Sequence, residues 1–355
     1  MRREFDGADA SEALIHAVRE AIAKKTPLAI RGGDTKGFLG RPASGAPLDT
    51  RAHRGIVSYD PTELVVTARA GTPLAELETA LDDAGQMLAC EPLVFGPQAT
   101  VGGMAAAGLS GARRPWAGSV RDFVLGCRVI TGHGKHLRFG GEVMKNVAGF
   151  DVSRLLAGSF GCLGVITEVS LKVLPKPRAA LDLTLEVPAA DAIARVAEWR
   201  RTGLPLAGAC HFDGKLQVRL EGGHGSVEAA QARIGGAVCD GSFWPALRRL
   251  KLPFFAGPAP LWRLSLPAAA PLAALPGPVL LDWAGMQRWL KSDAPAHEVR
   301  RLARELGGYA TCFTPDVTSE PFEPLSAPLE RLHRQLKAQL DPHGIFNPGR
   351  LYASL

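Results

Sequence analysis

Long apolar runs are missing from this chain of 355 residues. Nothing in it approaches the roughly 18–20 consecutive apolar residues that cross a bilayer as a helix, so no membrane-spanning helix is expected. The opening MRREFDGADASEA lacks the apolar core of a secretory signal. The expected location is therefore the cytoplasm, with the inner face of the cytoplasmic membrane as a second possibility. Paired cysteines are missing as well. The six, at 90, 127, 162, 210, 239 and 312, stand singly, with no CxxC and no histidine at metal-ligand spacing. Neither a zinc site nor an iron–sulfur cluster is written in such a pattern; the reading is buried free thiols and no metal. Blocks of one charge are also absent. The net charge of +6 comes from basic residues spread along the chain and not interleaved with aromatics, which describes a solvated surface and no nucleic-acid partner. There is no fixed-period repeat and no low-complexity tract, and the Ala/Pro-rich stretch 267–278 reads as a connection.

What is present is ample apolar content, 46%, in a chain too long for one hydrophobic core, so two domains are expected. Residues 9–24 place Leu14, Ile15, Val18 and Ile22 on one helical face, with Asp9 or Ser11 as cap. A short strand, 28–30, runs into RGGDTKG. ELVVT at 63–67 reads as a strand, followed by Thr72 as cap, Pro73 at the first helical position, and a stripe of Leu74, Leu77 and Leu81 that Gly85 ends. Residues 165–174 alternate: Val165, Thr167, Val169, Leu171 and Val173 share a face opposite mostly polar groups. Pro175 and Pro177 stop that strand, and the domain boundary is set there. Beyond it the reading is strand 181–187, helix 189–202, two strands near 206–220, helix 226–234, strands 261–266 and 279–283, helix 294–306 and strand 309–313. Such a succession suggests an antiparallel sheet with helices on one face. A last helix carries Leu329, Leu332, Leu336 and Leu340 before the tail DPHGIFNPGRLY.

Three glycine-rich segments carry the chemistry. In RGGDTKG, Arg31, Gly32, Gly33, Asp34 and Thr35 form a turn whose adjacent glycines let backbone N–H groups converge on an anion, phosphate being the commonest. An ordinary surface turn is the alternative. The spacing fits neither GxGxxG nor GxxxxGK[ST]. The second segment, FGPQATVGGMAAAGLSGARRPWAG, supplies Pro97, Thr100, Val101, Gly102, Gly103, Ala106, Gly108, Ser110 and Gly111, small residues on which a large flat ligand can lie. The third, GSFGCLGVITEV, supplies Gly158, Gly161 and Gly164 and then Val165 and Ile166.

In that order the three segments resemble the flavin-binding domain of the vanillyl-alcohol oxidase, or PCMH, type. The tail IFNPGRLY also matches that family, the stretch GGEVMKNVAGFD is similar to a signature of its 2-hydroxyacid branch, and the length, the KNVAGFD segment and the abbreviated second half are similar to the smaller FAD-binding subunits of bacterial glycolate oxidases. The resemblance implies an α+β protein: an FAD-binding domain of two α+β subdomains over 1–177, a cap of antiparallel sheet over 178–324, and a returning helix and tail over 325–355. It implies the residues named above as FAD ligands. It also implies hydride transfer from a small 2-hydroxyacid such as glycolate to flavin, with a second flavin subunit and an iron–sulfur subunit as partners. A stand-alone hydroxyacid or sugar-acid dehydrogenase and a non-catalytic flavin-loaded scaffold are the alternatives. The family's attachment histidine would fall where this chain has Thr35, so the FAD is expected to be non-covalent. The metal-binding HxGDGNxH and EHG motifs of the larger relatives are absent, and Glu320 is followed by Pro-Phe. For the substrate carboxylate, arginine's planar fork suits, and Arg113, Arg114 and Lys145 are the candidates; no catalytic base is assigned.

Overall fold

The computed structural model describes residues 7–141 and 151–355. The chain divides into two compact units. One is Met1–Ser110, Ser119–Pro175 and Pro324–Leu355; the other is Gly111–Gly118 and Lys176–Glu323.

In the first unit, helix Ser11–Lys24 forms where the apolar period lies, with the Ser11 backbone N–H donating to Asp9 Oδ1 at 2.9 Å. Leu14, Ile15, Val18 and Ala21 are its buried face; they meet Leu28, Leu48, Ile130, Val165 and, from the tail, Ile345 and Phe346. Leu28–Arg31 pairs in parallel with Ala46–Asp49. A five-stranded antiparallel sheet runs Ile56–Asp60, Val65–Arg69, Val165–Lys172, Val124–Ile130, His136–Gly140.

Two local expectations change. The leucine-striped helix is Leu74–Asp82 and starts one residue later than expected. Thr72 does not cap it, because its hydroxyl donates to the Gly55 carbonyl (3.1 Å) and accepts the Gly55 N–H (2.9 Å). The Val165–Lys172 strand is not half exposed. It is central in its sheet and buried on both faces, as central strands are. Its buried polar residues are each partnered there: Ser170 Oγ with Thr67 Oγ1 at 2.8 Å, Thr167 Oγ1 with His136 Nε2 at 2.8 Å, Glu168 with Arg128 at 3.3 Å.

The second unit is built on one eight-stranded antiparallel sheet in the order Ala237–Val238, Ala179–Glu186, Lys215–Gly222, Leu206–Phe212, Val279–Asp282, Gln287–Lys291, Leu261–Ser265, Tyr309–Cys312. Because side chains alternate along strands, the register puts Leu183, Val218, Ala209, Leu281 and Leu264 on one face. Helices Ala189–Arg201, His224–Ile234 and Ala296–Glu305 pack on that face. The opposite face carries Arg219, Trp289 and Arg263, partly covered by helix Phe243–Arg248 and by Phe254 and Phe255.

Candidate functional site

Strand Leu28–Arg31 ends at the glycine pair because the next loop presses on another. A Cβ built on Gly33 would collide with the Gln98 carbonyl oxygen, and one on Gly32 would lie 2.5 Å from Thr100 Oγ1. The two loops thus meet backbone to backbone, which only glycine allows. Asp34 follows with a left-handed φ of 51°. Among the described residues, none accepts a hydrogen bond from the backbone N–H groups of Gly33, Asp34 or Thr35. A second loop enters helix Val101–Ala107, whose N-cap Thr100 accepts the Gly103 N–H at 3.2 Å. The third docks on the end of that helix: the Gly158 N–H donates to the Ala105 carbonyl (3.1 Å) and Phe160 N–H to that of Ala106 (2.9 Å).

These loops enclose a cavity of about 290 Å³, into which Arg31, Gly32, Gly33, Asp34, Thr35, Thr100, Gly103 and Ala106 all face. A smaller one of about 80 Å³ adds Gly102, Gly161, Gly164 and Ile166 and shares Gly32, Gly103 and Ala106. The remaining expected ligands line neither space. Pro97 is exposed, and Val101 and Val165 are core residues. Ser110 Oγ accepts the Val120 N–H, the Gly111 carbonyl accepts Trp283 Nε1–H at 2.9 Å, and Gly108, at a φ of 63°, meets Gly158.

Two lining residues were not foreseen, Asn347 and Arg350, which lie some three hundred positions along the chain from the first loop. Asn347 Oδ1 accepts the Ile30 N–H and its Nδ2 donates to the Phe160 carbonyl, both at 2.7 Å, so one amide joins the first and third loops. Arg350 donates to the carbonyls of Lys36, Gly37 and Arg41. Burial lowers its pKa from the usual arginine value, and the nearby Asp34 carboxylate opposes that shift. The quoted tail IFNPGRLY contained this signal.

The space suits a dinucleotide flavin: a turn with unused N–H donors and cationic Arg31, Lys36 and Arg350 at one part, and a floor of small residues at another, where a Cβ on Gly103 would meet only Thr100 Oγ1. Thr35 lines it, and among the described residues no histidine, cysteine or tyrosine is a lining side chain. Acid precipitation of the purified yellow protein is expected to leave the flavin in the supernatant; colour retained in the washed pellet would refute this. Burial pushes the thiol of Cys162 up to about 11 and that of Cys127 to about 12, which keeps both protonated and unreactive.

Of the carboxylate candidates, Arg113 is already occupied. Its guanidinium holds the Glu221 carboxylate through Nε (3.1 Å) and Nη2. Arg114 lies 4.6 Å over the Trp283 ring. That ring is fixed by a run of left-handed residues, Trp283, Ala284 and Gly285 (φ 53°, 57° and 88°), a conformation costing about 1–3 kcal/mol for each non-glycine member. Lys145 lies outside the described residues.

A family model described as an FAD binding domain matches residues 8–140. The chain is 60% identical over 347 residues to the glycolate oxidase subunit GlcE of Escherichia coli (strain K12), covering 98% of this chain and 99% of that protein. It is 32% identical over 205 residues to a D-lactate dehydrogenase of Archaeoglobus fulgidus, which is 56% of this chain but 44% of that enzyme. A solved alkyldihydroxyacetonephosphate synthase shares the fold, with a TM-score of 0.68 at 17% identity over 95% of this chain and 75% of its own. The family model and the 60% identity to a glycolate oxidase subunit together define an FAD-dependent oxidoreductase. The chain belongs to the family of the glycolate oxidase subunit GlcE.

Proposed function

We propose that this chain is the FAD-binding subunit of a multi-subunit enzyme that oxidises glycolate, a 2-hydroxyacid, to glyoxylate. The observation that carries this is the 60% identity to the E. coli glycolate oxidase subunit over nearly the whole of both chains. Bound FAD supplies a two-electron acceptor for the hydride leaving the substrate's C2. The chain's own part is to hold that cofactor: the first loop and Arg350 form the polar end of the cavity, Gly102, Gly103 and Ala106 its floor, and Asn347 the tie between loops.

Electrons then pass, on this reading, to an iron–sulfur partner, because the described residues hold no group of three or more His, Cys, Asp or Glu side chains that could ligate a metal. No helix among the described residues is long and apolar enough to cross a membrane. The chain purified alone should carry FAD yet reduce a dye with glycolate negligibly. Co-expression with a second flavin subunit and an iron–sulfur subunit should give full activity. A single chain turning over glycolate as fast as the assembly would favour a stand-alone dehydrogenase instead.

A further inference from the structure

The end of the chain docks on the first loop without a fully buried apolar side chain. The buried apolar residues stop at Phe346, and residues 347–355 are held by polar contacts. Asn347, at a left-handed φ of 41°, joins strand Leu28–Arg31 to the third loop through its amide. Arg350 and Arg41 clasp each other: the Arg41 N–H donates to the Arg350 carbonyl at 3.0 Å, and Arg350 Nη1 donates to the Arg41 carbonyl at 2.7 Å. Nη2 of the same guanidinium donates to the carbonyls of Lys36 and Gly37, at 3.2 and 3.1 Å. The chain then turns back, the Leu355 N–H donating to the Tyr352 carbonyl at 3.0 Å. A terminal segment fixed by hydrogen bonds and little packing is one that opens locally at low cost.

Charge sets the cost of that docking. Among the described residues Arg350 forms no ion pair, and its hydrogen bonds go to carbonyls. Burial, and to a lesser degree the positive charge of Arg31, disfavour its charged form by more than Asp34 favours it. Among the described residues, the larger cavity is lined by three cations, Arg31, Lys36 and Arg350, and by one carboxylate, Asp34, which leaves an excess of two positive charges. The diphosphate linkage of a dinucleotide carries about two negative charges at neutral pH. Beside the cations stand the N–H groups of Gly33, Asp34 and Thr35, for which no described residue supplies an acceptor. Counter-charge of that size at the first loop favours a docked guanidinium that burial alone makes costly.

We propose that residues 347–355 are a latch closed by the cofactor's diphosphate, with Arg350 as the positioning residue that couples the latch to the first loop. The latch rests on the cavity being the flavin site and on nothing about which acid is oxidised. Arg350 holds the carbonyls of Lys36, Gly37 and Arg41, so the loop that carries the donors of residues 33–35 keeps its shape while the tail is docked. Coupling of this kind is reciprocal: a cofactor that favours the docked tail is itself released more slowly because the tail is docked.

The test uses the full-length chain, flavin-free and reloaded. Hydrogen exchange of the C-terminal peptide 347–355 should slow about 10-fold on saturation with FAD, and by a similar factor with ADP at a concentration that blocks FAD uptake. Adenosine, which lacks the diphosphate, should leave the exchange unchanged. Arg350→Met should speed FAD dissociation, followed by the change in flavin fluorescence on release, about 10-fold or more, and should abolish the protection of the tail. Its flavin-free form should melt with flavin-free wild type, which a residue needed only for packing would not allow. Arg350→Lys, which keeps the charge, should restore part of the slow release. If Arg350→Met does not fold, the exchange measured on the wild type decides alone. Tail exchange equally fast in flavin-free and FAD-loaded wild type, or equal protection by adenosine and ADP, would overturn the latch. A wild-type chain that takes up no FAD would overturn the flavin site and the latch with it.

Discussion

Gly33→Ala is expected to empty the flavin site and destabilise the unit that contains it. The added methyl group has nowhere to go. Its position is taken by the carbonyl of Gln98, with the Gln98 Cβ next at 3.1 Å, and a backbone carbonyl cannot swing aside as a side chain can. The loop after strand Leu28–Arg31 must therefore part from the segment before Thr100, opening the cavity wall that both build. Overpacking of this kind costs about 1–3 kcal/mol or more, and 3 kcal/mol of it falling on the bound state is over a hundredfold in affinity. Gly103→Val is the informative companion. There the added carbon meets only Thr100 Oγ1, at 3.1 Å, and otherwise points into the cavity. It should displace the flavin while leaving the fold intact. Flavin absorbance read beside thermal unfolding separates the two: both variants colourless, only Gly33→Ala melting below flavin-free wild type. Wild-type flavin content in Gly33→Ala would mean that the two loops are not held against each other.

The contrast between these glycines shows which features of the chain are legible from sequence. Gly32, Gly33, Gly102 and Gly103 are visible because close backbone approach leaves small residues in a row, and Leu74, Leu77 and Leu81 because a helix buries a stripe at fixed period. Why each glycine is needed is not visible. Gly33 answers to a carbonyl 65 positions away and Gly103 to open space. Strand Gln287–Lys291 was not foreseen because its Gln, Arg and Lys read as surface residues. It is buried throughout, with Arg288 donating to the Ala270 and Pro271 carbonyls and Lys291 to that of Gly257. The final helix reverses the usual pattern: Leu329 and Leu332, which mark its apolar period, are about half exposed, and its buried residue is Lys337. Asn347 and Arg350 belong to the cavity only through long-range contacts. Periodicity reports the face an element buries when neighbours are apolar; it is silent where the neighbours are carbonyls.

Lys337→Met should be among the most damaging single changes available in the first unit, although the residue touches no ligand. Its ammonium uses all three hydrogens, donating to the Cys162 carbonyl (2.8 Å), Asp341 Oδ2 (2.7 Å) and the Phe346 carbonyl (2.8 Å). Asp341, itself buried, in turn accepts the Ile345 N–H at 3.1 Å and the Phe346 N–H at 2.8 Å. This pair folds the chain end back so that Ile345 and Phe346 complete the core under helix Ser11–Lys24, and so that Asn347 and Arg350 reach the cavity loops. Methionine keeps the bulk but leaves the Asp341 carboxylate uncompensated and two carbonyls unmet. Breaking a buried pair in this way costs about 3–5 kcal/mol, and the flavin loops should loosen with it. The double variant Lys337→Met with Asp341→Leu should recover part of that loss, since no charge is then stranded, yet stay below wild type because the carbonyls of Cys162 and Phe346 still lack donors. Unfolding midpoints and flavin retention measured on all three proteins provide the check. A Lys337→Met variant that melts with the wild type and keeps its flavin would show that the tail is held by its apolar residues alone and that the buried ion pair contributes nothing net.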